Sequence, residues 1–477
     1  GRNYFGVRHR VRDWGPRFGF AFQPFKGWTL SGAYGVIYEA DMFNGALGAP
    51  MMETGSSSTN VAWSGSWQLD PDPVQPWKGI FNWDNGFPVQ RYAQPSFNAS
   101  WGNTSRPGMF DPDYGKSPYV QTWNLNVQRE ILRGLVLDVG YVGNKATGLH
   151  AGQLAVPNQL PPSVLSQYGR ALNNAVRSAA DAAANGIKYP FPGFAGTVAS
   201  ALRPYPQVVG NSVVDVYGSP LGFSTHHGLQ VTVNRQFSRG LTVYANYVWS
   251  KTLANMQSSE PTYNTSRPLD YYNLKLEKAP SVSDIPHMFK AYLDYELPIG
   301  RGKPLWGSAG NVATAIFGGW SVSWIGNYFS GTPLGFPGSS PLVGGWNGVV
   351  NRANIAPGEM KKSGFQKSAF ELSTLTSPSN TYLNKALFSD PAPLTLGTAA
   401  FRYAQARNFG TINEDLGVQK NQRIREKYRL QIRAEFLNAF NRHQLSSINT
   451  TVTSPQFGQV TNVSGNRTVQ VGLRFDF

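Results

Sequence analysis

The 477-residue chain contains no cysteine, which excludes disulfides, thiolate metal sites and cysteine nucleophiles. It is also short of charge. Asp, Glu, Lys and Arg make up 14% of it, against roughly 25% in soluble proteins, and this argues against a cytosolic enzyme. No long apolar run occurs: the most apolar stretch, Trp306 to Gly326, is broken by Asn311 and by several Ser and Gly, so a membrane-crossing helix is not expected there. Nucleophile-elbow and phosphate-loop motifs are missing. Acidic residues are too few, and too irregularly spaced, to nominate a glycosidase-like carboxylate pair. Neither an enzyme activity nor a cofactor is expected.

What is present is spread thinly. Apolar residues are 41% and aromatics 13%, with a mean hydropathy of −0.32, too polar for a helical membrane bundle and too apolar for disorder. The 51 Gly and 33 Pro lack a collagen period and imply many turns. The net charge of +15 suits nucleic acid, anionic lipid or an anionic ligand equally. Because no nucleic-acid fold signature accompanies it, nucleic acid is not an expected partner. The chain opens on Gly1-Arg2-Asn3-Tyr4-Phe5, with neither Met nor an apolar leader, so a mature, truncated or partial polypeptide is expected.

The dominant signal is period-two alternation, which puts one residue set on each face of a strand. Trp123, Leu125 and Val127 alternate with Asn124, Asn126 and Gln128; a short turn at Leu132-Arg133-Gly134 follows, then Leu135, Leu137, Val139 and Tyr141. The unit returns with Leu229, Val231 and Val233, with Leu241 to Trp249, Phe289 to Leu297, Trp320 to Trp324 and Tyr428 to Phe436. An N-terminal hairpin turns at Phe25-Lys26-Gly27, Thr411 to Ile424 reads as a weaker strand, and Val469, Val471, Leu473, Phe475 and Phe477 form the last. Eleven strands are expected.

Connections within hairpins are mostly short, whereas those between hairpins are long, at about 40–117, 148–221, 253–282, 332–410 and 441–466. Short turns on one side and long loops on the other are the asymmetry of an all-β, transmembrane antiparallel outer-membrane β-barrel. A soluble sandwich predicts no such bias. Arg429, Arg433 and Glu435 share a face and are expected in a water-filled lumen. Aromatic girdles are expected from Trp28, Trp123, Trp249, Trp320, Trp324, Tyr141, Tyr247, Tyr295 and Tyr428 near strand ends.

Several constellations invite other readings. His226-His227 cannot chelate from one face of a strand, and the other histidines are scattered, so no metal site is expected. Asp70-Pro71-Asp72 and Asp111-Pro112-Asp113 have oxygen density but not the twelve-residue calcium pattern, and read as turns. Pro161 to Ala184 carries Val164, Leu165, Tyr168, Leu172, Ala175, Val176 and Ala179 at helical spacing, so a short helix is expected in the second long loop. In the first, Trp63, Trp67, Trp77, Trp83 and Trp101 are candidate ligand contacts, able to stack on sugar rings or peptide side chains, or else the packed core of a lid. Arg423, Arg425, Lys427, Arg429 and Arg433 crowd one turn, as lumen or rim charge.

The ending on Phe477, with Phe475, Leu473, Val471 and Val469 at alternate positions, resembles the C-terminal sorting signal that the barrel-assembly machinery reads. At finer grain, Trp14-Gly15-Pro16-Arg17-Phe18-Gly19-Phe20-Ala21, Tyr119-Val120-Gln121-Thr122-Trp123-Asn124, Leu202-Arg203-Pro204-Tyr205-Pro206-Gln207, Tyr247-Val248-Trp249-Ser250-Lys251 and Asp284-Ile285-Pro286-His287 run in order. Tyr295-Glu296-Leu297-Pro298-Ile299-Gly300-Arg301-Gly302-Lys303 and Arg433-Ala434-Glu435-Phe436-Leu437-Asn438 follow. This ordered set is similar to the C-terminal half of the barrel of TonB-dependent receptors of the Oar-like type, which carry a carboxypeptidase-regulatory-like domain. The resemblance implies uptake of a large nutrient such as an oligosaccharide, peptide or metal chelate across a Gram-negative-type outer membrane. It also implies an upstream plug and N-terminal barrel half, in the same or a separate chain, and a TonB complex acting through the plug. A TonB box and a plug are not found in residues 1–477. The alternative is a non-transporting surface protein, an adhesin or structural envelope component whose loops bind glycan or matrix.

Overall fold

The computed structural model describes residues 13–38, 108–111, 113, 116–151, 154–208, 214–217, 219–238, 240–255, 267–340, 342, 349, 351–367, 370, 377–424 and 428–477. Its frame is a single twelve-stranded antiparallel sheet, in which eleven strands are hydrogen-bonded in chain order and a two-residue strand, Ala279–Pro280, pairs off that path with Leu253 and Ala254. The eleven are β1 (Arg17–Phe22), β2 (Trp28–Tyr38), β3 (Tyr119–Leu132), β4 (Leu135–Leu149), β5 (Gly222–Ser238) and β6 (Leu241–Ala254). Then come β7 (His287–Glu296), β8 (Trp320–Phe329), β9 (Thr411–Ile424), β10 (Tyr428–Leu437) and β11 (Thr468–Asp476). The eleven expected strands are found in the expected order; the short Ala279–Pro280 strand is additional.

Register turns the alternation of single strands into two continuous surfaces. One row of paired residues runs Val127, Val139, Val231, Tyr247, Phe289, Tyr328 and Ile412 across seven strands. The row one residue along runs Gln128, Asp138, Thr232, Asn246, Lys290, Asn327 and Asn413. Polar neighbours satisfy each other sideways: Asn126 Nδ2 donates to both carboxylate oxygens of Asp138 at 2.9 Å, and Asn246 Nδ2 to Thr232 Oγ1 at 2.9 Å. Much of the apolar surface is open, and Val471 and Leu473 of β11 are each 72% exposed. Its two charged interruptions on β9 are tied down, Glu414 by Arg442 and the Tyr328 hydroxyl, and Lys420 by the carbonyl of Gly318.

The tight turns need glycine where the backbone turns left-handed. Gly134 and Gly240 have φ of 74° and 84°, a region that L side chains enter at a cost of roughly 1 kcal/mol or more. Gly240 is constrained twice over, since a Cβ there would stand 2.8 Å from the carbonyl oxygen of Glu296.

One expectation changes. Five of the girdle aromatics, Trp123, Tyr141, Tyr247, Trp249 and Trp324, stand inside strands rather than near their ends. The reason for the first four is length: β3 and β6 have 14 residues, β4 has 15 and β5 has 17, so the ladders continue beyond the ten or so residues that cross an apolar band. Trp324 stands mid-strand, paired with Leu293 and Leu416. Trp28, Trp320, Tyr295 and Tyr428 are at or next to strand ends.

The short helix expected within Pro161 to Ala184 is present, and the helical spacing runs on past it into separate pieces. It divides into α1 (Pro162–Tyr168), a 3-10 turn (Gly169–Asn173) and α2 (Ala179–Ala184). Gly169 at φ 51° ends the first, and Ala175 and Val176 leave the helical path to pair with Thr197 and Gly196. Ser178 starts α2 by accepting from the Asp181 amide at 3.1 Å, an N-cap. Two more short helices, α3 (Val198–Ala201) and α4 (Asn311–Phe317), lie in connections.

A lysine placed at Val231 should destabilise the folded protein by roughly 2–4 kcal/mol at the bilayer midplane, and one at neighbouring Thr232 by far less. Urea unfolding in lipid of the two variants checks the register; equal losses would defeat it.

Candidate binding vestibule

The buried side chains lie mainly in the long connections, all on one side of the sheet, rather than between sheet layers. The second connection contributes Leu160, Leu165, Leu172, Val176, Ile187, Phe194 and Val198, packed against Leu342, Val349, Leu394 and Leu396 of the fourth. The fourth and fifth share another core, in which Phe388 stands 4.5 Å from Phe336 and 4.9 Å from Phe457, ring centre to ring centre. These long segments fold as a cap over one end of the strands.

Ion pairs stitch the cap together. Arg352 donates from Nη2 to Glu277 Oε2 at 2.5 Å, with side chains 7% and 0% exposed, and from Nη1 to the Leu276 carbonyl. Glu277 Oε1 accepts from the Leu269 amide. A second pair, Arg407 to Asp284 at 2.5 Å, joins the fourth connection to the third where Asp284 also accepts from the Thr252 amide of β6. Removing one member of such a pair strands the other charge in an apolar setting.

On this cap, Tyr205, Tyr271 and Tyr272 gather at the junction of the second and third connections. Gln159 organises them: its Oε1 accepts from the Tyr271 amide at 2.5 Å, its carbonyl accepts from the Tyr272 hydroxyl, and Asn158 Oδ1 accepts from the Tyr205 amide. The rings of Tyr271 and Tyr272 meet edge to face at 5.7 Å. Burial, then the Asp111 carboxylate and Tyr205, raise the Tyr271 phenol above its ordinary value; burial, then Tyr271 and Asp270, do so for Tyr272. Nearby in sequence, burial pushes the Arg203 guanidinium down to about 10. In the fourth connection, Arg352 and Arg402 lie 5.2 and 4.4 Å from the ring of Phe401. Tyr205 and Tyr272 are 38% and 52% exposed, and exposed phenols can stack on rings and hydrogen-bond hydroxyls, the chemistry of a polar ligand surface.

The residues singled out in the sequence fall in several places. Trp63, Trp67, Trp77, Trp83 and Trp101 lie outside the described residues, as do Asp70-Pro71-Asp72, Arg425 and Lys427. Arg429, Arg433 and Glu435 stand on the polar face of β10, opposite Leu430 and Ile432. Arg433 approaches Glu435 at 3.6 Å, and its side chain crosses Gly472 of β11, where a Cβ would meet it at 2.9 Å. Val469, Val471, Leu473 and Phe475 share the apolar face of β11; Tyr428 stacks on Phe475 and Phe475 on Phe477.

His226 and His227 point to opposite faces, one meeting Thr252 at 2.8 Å and the other the Tyr141 hydroxyl at 2.7 Å. Among the described residues no cluster of three metal-ligating side chains occurs. Asp111 is occupied as a turn former, accepting from the Asp113 amide and the Ser219 hydroxyl. The Tyr271-Tyr272 pair drew no attention in the sequence because it follows no period; only Pro268-Leu269-Asp270, a turn signal before it, marks the place.

The chain belongs to the outer membrane β-barrel domain family, whose model matches residues 2–470. It is thus an outer-membrane protein, and its apolar face is the surface in contact with lipid. No helix among the described residues is long and apolar enough to cross a membrane; strands do so. Solved structures similar to the chain include the outer membrane transporter YddB of Escherichia coli, at 10% identity and TM-score 0.40, covering 99% of this chain and 41% of that one. The pyoverdine-bound FpvA of P. aeruginosa (10%, TM-score 0.38) pairs 97% of this chain with 33% of its own, and the FrpB iron transporter of Neisseria meningitidis (10%, TM-score 0.35) pairs 96% with 38%. The chain therefore spans 33% to 41% of the length of these structures. No curated protein matches it.

Two outcomes follow from the cap. Arg352→Ala should cost about 3–5 kcal/mol in the cap by leaving Glu277 buried and unpaired. Limited proteolysis should then open residues 330–410 while the heat-resistant mobility of the barrel persists. The second concerns alkali: a phenol whose folded value is raised adds stability that is present below its ordinary value of 10.0 and lost as pH climbs through the folded one. Phenolate absorbance titrated above that value should lose one late-ionising tyrosine in Tyr271→Phe and one in Tyr272→Phe relative to the parent protein.

Proposed function

We propose that this chain is the C-terminal half of the barrel of a TonB-dependent receptor of the Oar-like type. It acts as a non-catalytic conduit for energised uptake of a large nutrient, an oligosaccharide, peptide or metal chelate. The observation that carries the reading is the open sheet: among the described residues β1 and β11 each have one strand neighbour. In lipid, every unpaired edge N–H and C=O costs several kcal/mol. The two edges therefore require partner strands, about eleven by the family resemblance, supplied by an N-terminal barrel half in the same or a separate chain. A barrel of that size has a lumen wide enough to need a plug, and the TonB complex would act through that plug.

On this reading the polar face lines the lumen, with Arg429 near its periplasmic end, Arg433 midway along β10 and Glu435 towards its outer end. The cap is the outer vestibule. The tyrosine cluster and Trp63, Trp67, Trp77, Trp83 and Trp101 are its ligand contacts, and the alternate apolar residues up to Phe477 are what the barrel-assembly machinery reads. The long outer connections, about 40–117, 148–221, 253–282, 332–410 and 441–466, are the variable, ligand-facing part.

The test is made on the native protein in its own outer membrane. Its intact mass should far exceed 52.3 kDa, or it should copurify with a second barrel polypeptide, and ligand accumulation should stop when the proton gradient is collapsed. Deleting residues 60–115 should leave assembly intact and reduce uptake. A lone species of that mass inserting as a closed monomeric barrel would sink the half-barrel; uptake indifferent to the gradient would sink energised transport.

A further inference from the structure

The most apolar stretch of the sequence, Trp306 to Gly326, is divided between α4 and β8. It sits in the connection from β7 to β8, which lies on the side of the tight turns yet spans residues 297–319. That connection does not stop beneath the sheet. Trp320 and Lys420 are register partners on the apolar face, and both reach for the end of α4: Trp320 Nε1 donates to the Ile316 carbonyl at 3.0 Å, while Lys420 Nζ donates to the carbonyls of Ile316 and Gly318 at 3.2 and 2.7 Å. The Lys420 ammonium also lies 5.1 Å from the Trp320 ring. The helix end is thereby held against the lipid-facing side of the sheet, at the margin where the strands begin.

What α4 presents there is apolar. Thr314 turns back into its own connection, with its methyl group 3.5 Å from the place a Cβ of Gly300 would take. Val312 and Ile316, four residues apart, share the opposite helix face, at 75% and 54% exposure. Phe317 beside them is 49% exposed and Trp306, packed on its ring edge to face at 5.3 Å, is 58% exposed. Such a patch in water would be an aggregation liability. Here it adjoins the lipid-contacting face through Trp320 and Lys420 and ends in a Trp ring, the side chain that favours the membrane boundary. Lys303 before it is paired with Glu296 at 2.8 Å, and Arg301, which donates to Asn311 Oδ1 at 3.2 Å, has no carboxylate partner among the described residues, so it is the cation that anionic headgroups attract.

We propose that α4 and Trp306 form an interfacial anchor that lies on the bilayer, its apolar side sunk into the headgroup boundary of the leaflet on the tight-turn side. The occupant of the patch is phospholipid, because the patch is held next to a surface already in lipid.

Residues 1–477 contain no cysteine, and any cysteine in the rest of the native protein is first replaced by serine. Single nitroxide labels at Val312→Cys and Ile316→Cys are read in membranes carrying the full-length protein, with Leu473→Cys as the lipid reference and Lys385→Cys, on the cap, as the water reference. At positions 312 and 316 collisions with oxygen should exceed those with a water-soluble nickel chelate several-fold, as at 473, and the ratio should invert at 385. Nickel access equal to that at 385 would place α4 in water. Protection from both reagents would mean that another protein covers the patch. Either result overturns the anchor.

Discussion

Lipid offers no hydrogen bonds, and the structure is arranged around that fact. A chain that crosses the hydrocarbon as strands must hand every backbone N–H and C=O to the next strand, and antiparallel pairing in chain order achieves this with the shortest turns. Once the ladder is fixed, side chains have only two directions to take, so one face of the sheet can be apolar and the other polar over eleven strands. Low charge, even hydropathy and frequent glycine all follow from the same demand. The exceptions conform to it as well: Glu414 and Lys420, set on the apolar face, are held by Arg442 and by the carbonyls at the end of α4.

Beyond the bilayer the demand changes, and so does the architecture. The cap has ordinary protein cores, buried ion pairs and capped short helices, because water returns and apolar side chains gain from leaving it. Its segments are far apart in sequence and meet only because the strands deliver them to the same side. The cap is in that sense a folded domain whose pieces are interleaved with the wall, and the tyrosine cluster sits at a seam between two of those pieces.

This division explains what could be read beforehand. Period two is a property of neighbouring residues, so strands such as Leu229 to Val233 or Leu241 to Trp249 announce themselves. Even the weaker Thr411 to Ile424 is legible up to its misplaced charges. The inner detail of the long connections is not local. Leu172 and Val176 look helical together, yet Val176 is claimed by a bridge to Gly196 and by the core around Phe194, which no short window reveals. Tyr271 and Tyr272 acquire meaning only through Gln159, more than a hundred residues away. Arg352 and Glu277 are likewise a pair that the sequence shows only as two isolated charges.

The core shared by the fourth and fifth connections bears on a weakness of two-faced strands. Alternation forbids a slip of one residue, because every side chain would change face, but it is blind to a slip of two. If β10 moved by two residues along β9, its outer end would travel roughly 7 Å, taking the fifth connection with it. Phe388 of the fourth and Phe457 of the fifth are 4.9 Å apart and could not stay together through such a displacement. The cap thus works as a vernier for the wall, selecting among shear states that the strands themselves cannot tell apart.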